Sequence, residues 1–219
     1  MIRKLFFRRA RLLSTSPQLG QIIGLGFRHL SSLLPVSRVS NNDRVVGFFH
    51  PWPAFDEHIL IVPKKAIPTF QALLSQENVA YLDEVLKTAR EIIASRGWNR
   101  YSLGVNAGAY QDVAQVHFHL YKEIPHWRPL EEGKPLKCVM KRGAVSVFDH
   151  PHPQREVHLI LCSDSGFDGA RTFRGIGLAL SDVLEQFPVV QTGYTVFFQF
   201  QDLLSNREMV LHIVSGETI

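Results

Sequence analysis

Gln115, His117 and His119 alternate with Val116, Phe118 and Leu120 in the segment running from Gln115 to Tyr121. Alternation at period two, in a run of branched and aromatic residues, predicts a strand over 113–121 whose two faces differ chemically. One face is apolar and faces a core. The other carries an amide and two imidazoles, the rings about 6–7 Å apart along the strand. A neutral imidazole can attack phosphorus or carbonyl carbon, pass a proton near neutral pH, or bind a metal. A bare His-x-His also occurs on half-exposed strands without any of these roles, so the residues around the pair decide.

Those residues belong to a regular succession of elements. Residues 36–40 and 44–49 alternate as a hairpin about Asn41-Asn42-Asp43, and His50-Pro-Trp-Pro53 is a rigid turn. The apolar run 58–62 predicts a further strand opened by His58. Residues 70–96 carry helical periodicity, with a short first piece and an end at Gly97. A strand over 101–106 follows, and then a turn-like run containing Gly108, Gln111 and Asp112 leads into the histidine strand.

Asn106, the glycine-containing loop, Gln111 and then Gln115-x-His117-x-His119 resemble the active-site segment of the histidine triad (HIT) superfamily. The family pattern is a triple alternation of histidines, preceded by an Asn on the previous strand and by a Gln four residues before the first His. Asn106 and Gln111 fall on those positions, His117 on the nucleophile and His119 on the third histidine. Gln115 stands where the first histidine would be. The run His58-Ile-Leu-Ile-Val-Pro-Lys64 is similar to a second family segment, in which the histidine matching His58 approaches the triad. Phe48 and Leu60 match positions lining the base pocket. The resemblance implies an α+β fold, an antiparallel sheet with helices on one side.

The second half of the chain copies the first. A shift of 100 residues aligns Val45, Phe48, His50, Pro51, Pro53 and His58 with Val145, Phe148, His150, Pro151, Pro153 and His158. A shift of 93 aligns Tyr101-Ser-Leu with Tyr194-Thr-Val and Val116 to Leu120 with Met209 to Ile213, a seven-residue shortening of the connecting helix, now about 169–187. The copy is chemically reduced: Val210 stands for His117, Glu208 for Gln115 and Gln199 for Asn106, while His212 retains His119. The expected organisation is a basic arm with an amphipathic helix (1–35), an active repeat (36–123), a linker (124–135) and a degenerate repeat (136–219). Since single-repeat HIT proteins pair with continuous sheets, the tandem is expected to form an intrachain pseudo-dimer, itself a monomer or weak dimer.

Charge separates the arm from the body. Residues 1–42 hold seven Lys/Arg and no acid, leaving 17 Lys/Arg against 20 Asp/Glu in the rest of the chain. A mildly acidic body argues against a broad nucleic-acid-binding face. The arm reads as a helix packed across the domain, as a membrane-surface contact by residues 1–34, or as a mitochondrial presequence in a eukaryotic source. Cys138 and Cys162, far apart and outside any metal-ligand spacing, fit a reducing compartment and a cytoplasmic location.

The resemblance implies a nucleotide hydrolase or nucleotidyl transferase that works through a covalent His117 intermediate on a small nucleotide or phosphorylated substrate, with no cofactor. The tautomer of His117 would be set by a backbone carbonyl near position 115, which the change to Gln115 preserves. His119, His58, Asn106 and Gln111 would hold phosphate oxygens. His50 falls where many family members carry the acid that binds the ribose, and Asp112 where many carry a small hydroxyl residue, so substrate preference is expected to differ. The alternatives are a binding module without turnover, or a zinc site built from His117, His119 and His58 or His50.

Overall fold

The computed structural model describes residues 37–122, 135–164, 166, 168–200 and 209–218. Strands β1 (Arg38–Asn41) and β2 (Val45–Phe49) form the expected hairpin. Asn42 makes its turn: Oδ1 accepts the backbone N–H groups of Arg44 and Val45. Strand β3 (His58–Pro63) pairs with β2. The chain then leaves the sheet for α1 (Phe70–Leu73), capped by Thr69 Oγ1 on the Ala72 N–H, and for α2 (Val79–Ser95). Leu82, Val85, Leu86, Ala89, Ile92 and Ile93 recur at helical spacing and are all buried. Gly97 follows the helix at a φ of 61°, a left-handed conformation open to glycine.

Strands β4 (Ser102–Gly108) and β5 (Phe118–Tyr121) complete this part. After residue 135 come β6 (Cys138–Arg142), β7 (Val145–Asp149), β8 (Arg155–Ser163), α3 (Gly169–Gln186), α4 (Pro188–Thr192), β9 (Gly193–Phe200) and β10 (Met209–Thr218). The ten strands among the described residues lie in one antiparallel sheet, in the order β1-β2-β3-β5-β4-β9-β10-β8-β7-β6. Read outward from the β4–β9 seam, the two sides follow the same order of strands.

One buried core runs along the helical face from Val45 through Phe118 and Phe198 to Ile213, without a break at the seam. Period-two alternation puts the next residues on the opposite face, where Val46, Phe48 and Val62 form a separate small cluster against Leu60. Register then draws a single row across the sheet: Phe48, Leu60, His119, Gly104, Phe197, His212, Ile160, Phe148. Glycine at 104 leaves room in that row, because a Cβ there would lie 3.1 Å from Phe197 Cδ1 and Cε1.

One expectation needs revision. The strand predicted over 113–121 begins only at Phe118. Upstream, Val116 N–H donates to Ile67 O and Gln115 N–H to Val113 O, so this segment pairs with a loop rather than with the sheet. The amphipathic helix within 1–35, most of the linker 124–135 and Glu208 lie outside the described residues. Among those described, no helix is long and apolar enough to cross a membrane.

Candidate active site

The β5 register places His119 opposite Leu60 of β3 and Gly104 of β4, and His58 opposite Tyr121. Four imidazoles gather there. The His117 ring stands 5.0 Å from that of His119 at a steep angle, and His50 stacks flat on His58 at 4.3 Å. A tight link joins His58 Nε2 and His119 Nδ1, 2.9 Å apart.

Partners that can act only one way fix the tautomers. His117 Nδ1 lies 2.9 Å from the backbone oxygen of Gln115. A carbonyl only accepts, so Nδ1 carries the hydrogen and Nε2 keeps a lone pair. The Ala54 N–H reaches His58 Nδ1 across a long 3.5 Å contact, which makes that nitrogen an acceptor. His58 Nε2–H therefore donates to His119 Nδ1, and His119 presents Nε2–H. That Nε2 is buried and has no hydrogen-bond partner among the described residues. The ensemble leaves one nucleophilic nitrogen, on His117, and one buried unspent donor, on His119.

Burial keeps the cluster uncharged. It lowers His58 to about 4, helped by repulsion from His50 and His117, and His119 to about 2, helped by His117, His58 and His50. His117 is also lowered by burial, with the Gln115 carbonyl and the Asp112 carboxylate pulling the other way. His50 is lowered chiefly by burial, and its Nδ1 accepts the Trp52 N–H at 3.0 Å.

The remaining predicted residues divide. Phe48 and Leu60 lie on the histidine face, in the row that contains His119, and Asn106 sits on β4 beside the seam. Gln115 does not join the histidines through its side chain. Its buried amide accepts from Ile67 N–H and donates to Pro63 O and Lys65 O, each at 3.1–3.2 Å. Gln111 likewise spends its NH2 group on main chain, at Pro68 O (2.6 Å) and Val113 O (2.5 Å), and so shapes its loop instead of offering those hydrogens to a ligand. Position in a motif puts both amides beside the histidines, but side-chain direction in a loop is not set by spacing.

The other side of the seam repeats the geometry with two changes. His150 stacks on His158 at 3.9 Å, and His158 Nε2 lies 3.0 Å from His212 Nδ1. Burial lowers both His158 and His212 to about 3. Here, however, Gln199 Oε1 takes the hydrogen of His212 Nε2 at 2.8 Å, so the donor left unspent on His119 is capped. Val210 stands where the nucleophile would be. Among the described residues, His50, His58 and His119 form one group with metal-ligand spacing, and His150, His158 and His212 another. His117 belongs to neither, unlike the zinc site considered from the sequence. Within each group an imidazole–imidazole hydrogen bond already occupies two of the nitrogens.

Sequence and fold both have counterparts among known proteins. The family model for the HIT domain matches residues 33–125. A HIT-like protein of Methanocaldococcus jannaschii is 32% identical over 126 residues, 57% of this chain and 90% of that protein. One from Synechocystis is 32% identical over 97 residues, covering 44% and 82%. This chain belongs to the HIT superfamily. Two solved structures share the fold over both halves. A DUF4931 family protein from Bacillus cereus has a TM-score of 0.60 at 10% identity, covering 84% of this chain and 87% of that one. The ADP-glucose phosphorylase of Arabidopsis thaliana, solved with bound ADP-glucose, has a TM-score of 0.55 at 11% identity, covering 89% and 81%.

Proposed function

We propose that the chain is a HIT-type hydrolase or nucleotidyl transferase acting at the α-phosphate of a small nucleotide, with His117 as nucleophile. The observation that carries this reading is the 2.9 Å contact of His117 Nδ1 with Gln115 O, which leaves Nε2 unprotonated. The Nε2 lone pair forms a bond to phosphorus as the bond to the leaving group breaks, and the leaving group takes that electron pair and a proton from solvent. Water or another acceptor then attacks phosphorus and releases its proton to solvent, the N–P bond breaks, and its pair returns to Nε2. The imidazole becomes cationic in the adduct, and the Gln115 carbonyl stabilises the charge on Nδ1–H.

His119 Nε2–H donates to a phosphate oxygen as negative charge redistributes, and His58 holds it in that tautomer. Asn106 offers its amide to the same phosphate. Phe48 and Leu60 supply an apolar surface for the base, and His50 supports the His58 ring. Gln115 and Gln111 are positioning residues: one fixes the nucleophile and loop 63–67, the other the loop before the nucleophile.

The two halves are a duplicated unit that forms a pseudo-dimer within one chain, the half after the linker being silent. The matched strand order on either side of the seam supports this, as does the symmetric row Phe48–Leu60–His119 and Phe148–Ile160–His212.

Intact-mass analysis of the parent and His117→Ala proteins, incubated with adenosine 5′-phosphoramidate or a dinucleoside polyphosphate, tests the reading. An adduct of one nucleotidyl group, or turnover, that vanishes in the variant supports it. No adduct and no turnover, with AMP still raising the melting temperature, would replace it with a binding module.

A further inference from the structure

We infer that Thr195, on β9 beyond the seam, is a positioning residue for Asn106: its hydroxyl fixes which side of the Asn106 amide a phosphate meets. The inference rests on the functional reading above, in which Asn106 contacts phosphate. The β4–β9 register sets Asn106 directly opposite Thr195, and Thr195 Oγ1 lies 2.8 Å from Asn106 Oδ1. Direct cross-strand neighbours are the pairs whose side chains meet in a sheet.

An asparagine amide turned one way offers two N–H groups, and turned the other way it offers an oxygen that an anionic phosphate repels. A hydroxyl is able to donate or accept. Only as a donor to Oδ1 does Thr195 leave the Nδ2 hydrogens for the phosphate. Both residues are half-buried, so water competes little for the bond.

The seam holds this pair rigidly. A Cβ on Gly108 would come 3.0 Å from Gly193 Cα, so the two backbones approach as closely as glycines allow. Tyr110 packs over Gly193, where a Cβ would meet its ring at 2.5 Å, and its hydroxyl accepts the Gly216 N–H at 3.2 Å. The loop leading from Asn106 to Gln111 is thus anchored on β9 and β10. The relationship is one-sided: Gln199, the counterpart of Asn106, turns to His212 instead. A half without a nucleophile thereby acquires a part in its neighbour's site.

The test compares Thr195→Val, which removes the hydroxyl at constant shape, with Thr195→Ser, which keeps it, in the full chain. The Asn106 side-chain amide signal, assigned by its loss in Asn106→Asp, is followed by 15N–1H NMR. AMP titration and phosphoramidate kinetics accompany it. The valine variant should shift or broaden that signal and lower AMP affinity and kcat/KM about five- to tenfold, the worth of one partly buried hydrogen bond. The serine variant should keep the signal and stay within about twofold of the parent. Thr195→Ala stands in should valine impair folding. An unmoved Asn106 signal in the valine variant overturns the inference, as do equal kinetics for valine and serine. A parent that neither binds AMP nor turns over fails the functional reading instead, and the amide signal then decides the positioning by itself.

Discussion

His119 receives a hydrogen bond from His58 across 2.9 Å, from the neighbouring strand, and this contact turns its far nitrogen into a buried donor. On the other side of the seam the same contact between His158 and His212 ends on Gln199. One imidazole pair thus ends on a buried unspent donor and the other is closed on a side chain. The difference lies in the partner of a single nitrogen.

Loss of the orienting donor should therefore be felt in turnover. His58→Ala is expected to lower kcat about ten- to hundredfold, because His119 loses the partner that sets its tautomer. His58→Gln keeps an N–H at similar reach and should retain most of the rate. Steady-state kinetics of the two variants with adenosine 5′-phosphoramidate decide the point. Equal loss in both would deny His58 this orienting role.

Gln115 should prove a stability residue first. Gln115→Ala strands the Ile67 N–H and the Pro63 and Lys65 carbonyls in a buried loop, at a cost of about 2–4 kcal/mol. The melting temperature should fall by roughly 5–15 °C. The backbone carbonyl that holds His117 survives the substitution, so adduct formation per folded molecule should persist below the transition.

A steric pair couples the two sides of the seam. Gly104→Ala presses on the Phe197 ring, an overpacking expected to cost about 1–3 kcal/mol. Phe197→Leu should relieve part of it, so a double-mutant cycle in denaturant unfolding should give a coupling of about 1 kcal/mol. Strict additivity would show that the ring moves away freely.

The apolar row beside His119 should act on binding rather than on chemistry. Leu60 is half-buried next to Phe48, and Leu60→Ala is expected to raise KM for an adenosine substrate about five- to tenfold with kcat little changed. A fall in kcat at constant KM would place the base elsewhere.

Acid should weaken the fold before the carboxylates titrate. Folded His58 is held to about 4, His119 to about 2, and His158 and His212 to about 3, against 6.5 in the unfolded chain. Below 6.5 the unfolded state binds more protons, so stability rises with pH there. The contribution is complete above 6.5 and is lost as pH falls through the window down to about 2. Urea midpoints should be flat from about pH 7 to pH 8 and decline from about pH 6.5 toward pH 4. His212→Asn should make that decline shallower.

Local physics made much of this molecule legible in its sequence. The hairpin at Asn42 follows from an asparagine bonding the backbone just ahead of it, the end of α2 from glycine's freedom at position 97, and the buried stripe of α2 from 3.6-residue periodicity. The histidine motif and the carbonyl that sets His117 are likewise short-range, since Gln115 and His117 are two residues apart. The tertiary structure decided what depends on register between distant strands. Hydrogen bonds join Thr195 to Asn106, His119 to His58 and Gln115 to Ile67 across sequence separations of 89, 61 and 48, which no window of sequence encodes. Sequence placed Gln115 among the histidines by counting alternate residues, but the strand starts three residues later and its amide satisfies a loop. The alignment of Tyr101-Ser-Leu with Tyr194-Thr-Val matches two strands without saying that they meet, and only their antiparallel register sets Thr195 against Asn106. A polar side chain bonds whatever stands opposite it, and folding alone decides what that is.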